Sequence, residues 1–417
     1  MFYLFKISQY VRINSILIAV LLLSIIARAQ PSHTLRIDPL NARGGTFSQF
    51  FEEVSFIPLE TTKESTFGIL QKLQISEHYF TFFDVSTKSI FIFNKNGNFR
   101  SKITELPSLN KESASHFSSL AHFVLHNNSE NVYVVYDEEN KLHTKHLAVF
   151  NADGKLLQSK QLNSSFNSLS ESFIFLDSTK TLFAMENKER SSQNYFSIVE
   201  NFDTIITNTL SINRSDPFAK SWIKKYDLKS SSSEGSLWSR LFDNKVYYFD
   251  KNGISSSFNF LLPANLSLDT EFYTDSSIIG NKNRSYEYLS DHRDKVSYLT
   301  NLYKTKDIIA FTFVKFQMSS PWDSYLYNST SNNLYCTGRI SPDSLCYFLP
   351  IFTIGGIVVG ADEDNVYVSV PSFVMFNTIK NSLNKLWQSN PVLYTYVTTQ
   401  NPKSNPVLLR LKLKKNL

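Results

Sequence analysis

Ile90-Phe91-Ile92-Phe93-Asn94-Lys95-Asn96-Gly97-Asn98-Phe99 carries the reading of the fold. An apolar, aromatic strand runs into a polar turn with glycine, and a second apolar start follows. Aromatic and β-branched residues suit a pleated, half-buried surface. Asn-Gly tolerates the positive φ that a tight hairpin between right-twisted strands demands. The pattern returns as Leu147-Ala148-Val149-Phe150-Asn151-Ala152-Asp153-Gly154-Lys155-Leu156 and as Val246-Tyr247-Tyr248-Phe249-Asp250-Lys251-Asn252-Gly253-Ile254. A degenerate copy is Ile198-Val199-Glu200-Asn201-Phe202-Asp203-Thr204-Ile205, with Asp203 in the glycine place. A weaker one is Tyr325-Leu326-Tyr327-Asn328-Ser329-Thr330-Ser331, and the last is the terminal strand Val407-Leu408-Leu409-Arg410-Leu411.

Positions 97, 154, 203 and 253 lie 57, 49 and 50 residues apart, and the later gaps widen to about 80, which implies insertions. A second strand precedes several copies: Tyr79-Phe80-Thr81-Phe82-Phe83-Asp84, Val132-Tyr133-Val134-Val135-Tyr136-Asp137, Leu182-Phe183-Ala184-Met185-Glu186-Asn187 and Val366-Tyr367-Val368-Ser369-Val370. Helical periodicity is weak after residue 30. Paired strands repeated six times predict an all-β fold, a six-bladed β-propeller of four-stranded antiparallel blades, spanning residues 46–413.

Composition agrees. The 417 residues include 35 Phe and 21 Tyr, and 42% are hydrophobic, which is ample for a core and excludes disorder. The net charge of +5, 42 basic against 37 acidic residues, is spread along the chain and leaves no nucleic-acid footprint. The basic C-terminus at Arg410, Lys412, Lys414 and Lys415 reads as the solvated side of an edge strand.

At the other end, Lys6 and Arg12 precede an apolar run over residues 13–26, and Ala27-Arg28-Ala29 fits a small-x-small cleavage rule before Gln30. The run is short for a membrane span. An export signal over residues 1–29 is the favoured reading, with an uncleaved anchor as the alternative. After cleavage no stable span remains. Cys336 and Cys346 are the only cysteines. In an exported chain they are expected to form a disulfide that staples a loop, the alternative being two buried thiols.

These repeats, with the opening segment Phe50-Phe51-Glu52-Glu53-Val54-Ser55-Phe56-Ile57-Pro58-Leu59-Glu60-Thr61-Thr62 and the closing Asn405-Pro406-Val407-Leu408-Leu409-Arg410-Leu411-Lys412, resemble a family of exported bacterial six-bladed β-propellers similar to NHL-type propellers. The resemblance implies an architecture; the family is largely without assigned chemistry. The chain departs from it at Thr104-Glu105-Leu106-Pro107-Ser108-Leu109-Asn110, where many members carry a Gly-rich loop. It also lacks the cysteine on which many members are lipidated.

No P-loop, dinucleotide-binding, G-x-S-x-G or H-E-x-x-H pattern occurs, so no catalytic residue, metal or cofactor is assigned. His116, His122, His126, His143 and His146 cluster in sequence, but the local pattern is strand and turn and reads as ordinary packing. Asp362-Glu363-Asp364-Asn365 lacks the spacing of a calcium loop and reads as a hairpin turn. Asp84, Asp137 and Asn187 end equivalent strands, so a propeller gathers them on one face, where they are candidates to bind a polar ligand, the favoured alternative being that Asp and Asn simply make the turn. Trp222 and Trp322 sit in polar surroundings and are candidate stacking platforms for a sugar ring, against the favoured reading of a buried core or inter-blade role.

These features predict an exported binding or interaction protein of the periplasm or cell surface, monomeric, with a glycan or protein ligand and no nucleic-acid partner. The alternative is a propeller enzyme, a hydrolase or lyase acting on an extracellular polysaccharide. A third reading makes residues 255–320 a docking surface for partner proteins.

Overall fold

The computed structural model describes residues 31–107, 115–116, 122–137, 144–185, 194–211, 229–232, 235–239, 242–279, 281–316, 324–352, 357–382, 385–415 and 417. The chain opens with β1 (Ser32–Arg36), β2 (Arg43–Thr46), a short helix α1 (Phe47–Phe50) and β3 (Phe51–Pro58). Blade I follows as β4 (Leu70–Ile75), β5 (Tyr79–Asp84), β6 (Ser89–Asn94) and β7 (Phe99–Ile103). A small hairpin, β8 (Glu105–Leu106) with β9 (Ser115–His116), leads to blade II: β10 (Phe123–Leu125), β11 (Val132–Asp137), β12 (Lys145–Phe150) and β13 (Leu156–Gln161). Blade III is β14 (Leu169–Phe175), β15 (Lys180–Met185), β16 (Asn194–Glu200) and β17 (Thr204–Ser211). Blade IV is β18 (Lys229–Ser232), β19 (Gly235–Ser239), β20 (Lys245–Asp250) and β21 (Gly253–Leu261).

Helices α2 (Thr270–Thr274), α3 (Ser276–Ile279) and α4 (Lys282–Asp291) then interrupt the chain. Blade V is β22 (Val296–Lys304), β23 (Ile308–Lys315), β24 (Ser324–Asn328) and β25 (Asn333–Ser341). Blade VI is β26 (Ile357–Ala361), β27 (Asn365–Val370) and, after α5 (Ser372–Asn381) and α6 (Pro391–Thr399), β28 (Val407–Leu413). Each blade is a separate, mostly antiparallel sheet, and the six form the expected propeller.

Every repeat copy read from the sequence is a third strand, followed in all but the last by its turn, and every upstream partner is a second strand. Gly97, Gly154 and Gly253 sit in equivalent turns with φ of 92°, 72° and 100°. In the degenerate third copy the left-handed backbone falls on Asn201 and Phe202 instead of Asp203. Phe202 meets the strain by burying its ring against Tyr133 and Phe173.

The fourth strand of blade VI comes from the far end of the chain. β3 pairs antiparallel with β28, from Val407↔Pro58 to Leu413↔Phe51, and closes the ring. Two further strands had no repeat signature: β1 runs parallel to β21 and β2 parallel to β25, giving blades IV and V a fifth strand.

Six apolar clusters each join two neighbouring blades. At the closing seam, Ile57, Tyr367 and Leu408 of blade VI pack on Phe80, Phe82, Phe91 and Phe93 of blade I. Burying each such side chain stabilises by about 1.5–3 kcal/mol, so the ring holds because no blade can cover its faces alone.

Strand direction sorts the connections onto two faces. One carries the links between first and second and between third and fourth strands. Among the described residues these are tight turns such as 76–78, 95–98, 151–155, 201–203 and 362–364. The other carries the links between second and third strands and between blades, including both helical excursions, residues 262–295 and 371–406.

The expected disulfide is not formed: Cys336 and Cys346 are two buried thiols. Cys336, on β25, packs in the cluster between blades IV and V, whereas Cys346 packs in the cluster between blades V and VI. Ten residues apart in sequence, they face different cores. Burial pushes the Cys346 thiol up to about 11.

Candidate functional site

The six first strands surround the axis, and most of them are irregular. Register shifts interrupt β4, β14, β18, β22 and β26. A bulge bends its strand and re-aims the side chains it carries. In β4 the shift between Gln71 and Gln74 leaves Lys72 at φ 54°, and in β22 the shift between Thr300 and Tyr303 leaves Asn301 at φ 49°. Such a conformation costs a residue with a Cβ about 1–2 kcal/mol, so the surroundings must hold it there.

Gln74 does part of that holding. Its Nε2 donates to Phe123 O at 2.7 Å and its Oε1 accepts from Leu125 N at 2.6 Å, so it bridges the first strands of blades I and II. Lys72 Nζ lies 3.3 Å from His122 Nδ1, the residue before β10. Both stand near strand starts, which places the pair at the loop-rich mouth of the ring. The contact sets two polar, hydrogen-bonding side chains where the first strands of blades I and II meet. In blade V a row of hydroxyls continues outward: Thr312 Oγ1 is 2.9 Å from Ser324 Oγ, and Thr337 Oγ1 donates to Ser324 O at 3.1 Å.

Of the residues named from sequence, Asp84 and Asp137 are described, and they behave differently. Asp84 is fully buried. Its Oδ1 accepts from Gly68 N at 3.1 Å and Ile69 N at 2.9 Å, and its Oδ2 from Thr87 N at 2.9 Å and Thr87 Oγ1 at 2.8 Å. Four donors occupy its oxygens, so it ties the connection entering blade I to its own turn rather than facing a ligand. Asp137 is part-exposed on the same face and pairs at 3.0 Å with Lys145 Nζ, whose side chain is only 2% exposed. Asn187, Trp222 and Trp322 lie outside the described residues.

The histidines disperse. His122 stands at the channel mouth. His126, on the opposite face, packs edge-on against Phe175 at 4.6 Å, and burial lowers its pKa. His146 is buried beside the Tyr136 ring. His143 is outside the described residues, as is the side chain of His116. Among the described residues no three His, Cys, Asp or Glu side chains are arranged to hold a metal ion. The Asp362 turn is a hairpin held by its own side chain: Asp362 accepts from Asn365 N at 2.9 Å and from Tyr367 OH at 2.7 Å.

Sequence reasoning passed over Lys72 and Gln74. The available signal was the polar residues Gln71, Lys72 and Gln74, which break the alternation expected of the strand Leu70-Gln71-Lys72-Leu73-Gln74-Ile75.

The family described as "Domain of unknown function (DUF4934)" matches residues 38–412. The chain belongs to that family. The match runs from the turn after β1 to within a residue of the end of β28, so the family domain is the whole ring. No curated protein matches the chain. Among solved structures, a Bacteroides fragilis protein described as exported is similar at 17% identity and a TM-score of 0.63, covering 92% of this chain and 99% of its own. At that identity the likeness concerns the fold. A member of the DUF4221 family from Bacteroides vulgatus aligns at 10% identity and a TM-score of 0.43, covering 87% of this chain and 97% of its own. Among the described residues, no helix is long and apolar enough to cross a membrane.

Proposed function

We propose that this DUF4934 protein is an exported, monomeric propeller of the periplasm or cell surface that binds an extracellular ligand, a glycan or a protein, on its loop-rich face. The observation that carries the reading is the asymmetry between faces. One face is closed by short turns, while the other holds every long described connection and the Lys72–His122 pair. Loops on a rigid scaffold are where binding residues accumulate. In sequence, Asn187 falls between β15 and β16, Trp222 between β17 and β18, and Trp322 between β23 and β24. These three residues, which lie outside the described residues, join Lys72, His122 and Asp137 as proposed contacts.

The signal-like segment over residues 1–29 and the exported relative support export. An enzyme that hydrolyses a glycan would require two carboxylates flanking the bond. Asp84 does not serve as one of them, because Gly68, Ile69 and Thr87 occupy both of its oxygens.

The test is a panel of neutral and acidic polysaccharides and a cross-linking screen against envelope proteins, both run with the full chain. For any ligand found, Lys72→Gln and His122→Ala should each weaken binding about tenfold, with Lys251→Ala on the opposite face as the control. Binding that survives both changes but fails with Lys251→Ala places the ligand on the wrong face and defeats the proposal.

A further inference from the structure

The excursion over residues 371–406 has a composition unlike the rest of the chain. No Asp or Glu occurs after Asp364, although the chain holds 37 of them, while Lys380, Lys385 and Lys403 fall within the excursion. Its two helices are braced from beneath. Tyr396 OH donates to Ser372 Oγ at 2.6 Å, Phe376 packs on Tyr396 at 5.3 Å, and Asn390 Nδ2 donates to Tyr347 OH at 3.1 Å. Val374, Met375, Ile379, Trp387 and Leu393 face the core between blades V and VI.

The outward side is also apolar. On α5, Phe373, Asn377 and Lys380 are exposed at helical spacing, which makes one stripe. Phe373 is 57% exposed, Leu386 41%, Val392 44% and Tyr394 51%. Large apolar side chains exposed together on one excursion, here on α5, on the turn at Leu386–Ser389 and on α6, mark an interaction surface. Here they are interspersed with lysines and free of acidic residues.

We propose that this surface docks on an anionic phospholipid membrane. The complementarity of charge selects that occupant. Short helices with Phe, Leu, Val and Tyr outward insert shallowly at the boundary between headgroups and acyl chains, and the lysines meet the anionic headgroups. A neutral apolar protein partner would make no use of the lysines. The docking lies on the loop-rich face but is independent of any ligand bound there.

The test is flotation of the full chain with vesicles of phosphatidylcholine alone and of phosphatidylcholine with one quarter phosphatidylglycerol. Every protein carries the same N-terminus, so residues 13–26 contribute equally throughout. The wild type should bind the anionic vesicles at least tenfold better than the neutral ones, and salt should weaken that binding. The triple variant Phe373→Ser, Leu386→Ser, Tyr394→Ser should lose this preference. Lys380→Gln with Lys385→Gln should lose severalfold in affinity and most of the salt dependence. Unchanged unfolding midpoints establish that the variants fold; should the triple variant unfold, the lysine pair alone decides. Equal binding of wild type and lysine variant to anionic vesicles overturns the proposal. So does a wild type that dimerises without lipid through the same side chains.

Discussion

Asn405 closes the ring, and its removal is the sharpest test of that role. The residue is 1% exposed. Its Nδ2 donates to Glu60 O at 2.7 Å and Ser65 O at 2.9 Å, and its Oδ1 accepts from Phe67 N at 3.3 Å. Its main-chain N–H adds a bond to Thr61 Oγ1 at 3.0 Å. The connection from β3 into blade I is thereby fastened to the end of the excursion within blade VI. Asn405→Ala leaves the Ser65 carbonyl and the Phe67 N–H without their partner, while Glu60 O keeps its bond from Ser65 Oγ at 2.8 Å. Each of these two buried groups left unpaired costs about 1–3 kcal/mol, and water entering the small void returns part, so the expected loss is about 2–4 kcal/mol. Native stabilities are commonly about 5–15 kcal/mol, so the variant should be severely weakened. Asn405→Asp should be worse, because it sets an anionic oxygen against two carbonyl oxygens. The assay is urea unfolding followed by tryptophan fluorescence and circular dichroism together, with the midpoint falling and the slope unchanged. A loss below about 1 kcal/mol for the alanine variant, or an aspartate variant as stable as wild type, refutes the clasp.

Two further outcomes are expected. A Cβ at Gly97 would lie 2.2 Å from Pro58 O, whereas one at Gly253 finds its nearest neighbour, Ile198 Cδ1, at 3.5 Å. Gly253→Ala should therefore cost only the backbone strain, about 1–2 kcal/mol, and Gly97→Ala at least twice that, because the seam between blades VI and I must part; equal urea midpoints would show the seam to be slack. Lys95 sits at the same seam, its Nζ 4.6 Å from the Phe80 ring centroid and 5.6 Å from that of Tyr367. Burial depresses its pKa from 10.5 to about 8, against the attraction of Asp362. Below pH 8 both states of the chain carry this proton and the folded state bears the full penalty. Between 8 and 10.5 the folded state has released a proton that the unfolded chain keeps, so stability at this site rises with pH. A displacement of that size corresponds to about 3 kcal/mol; the two rings offset part of it. Lys95→Met should accordingly be about 1–2 kcal/mol more stable than wild type at pH 7, with the advantage fading by pH 10. A variant less stable at pH 7 would show that the ring contacts outweigh desolvation.

Much of this architecture was legible residue by residue. The third-strand copies were found because alternation along a strand and the Asn-Gly turn are local properties. Asp203 was misplaced for the same reason. Left-handed backbone at Asn201 and Phe202 is tolerable only because the Phe202 ring finds a buried slot between blades II and III, which no local pattern announces. The candidate site fared less well. Asp84 and Asp137 look alike in sequence, each ending a second strand. Which one faces solvent depends on whether the amides of Gly68 and Ile69 arrive to occupy the carboxylate.

The order of apolar and turn residues, acting over a few neighbours at a time, was enough to specify short twisted strands, their pairing into blades and the number of blades. Where the ring closes was decided in three dimensions, as were the parallel strands β1 and β2, the separate burial of Cys336 and Cys346, and the meeting of Lys72 with His122. Each depends on groups far apart along the chain, or on which of two cores a side chain enters. Such outcomes are governed by how blades pack around a common axis, and that packing exists only once the whole ring has formed.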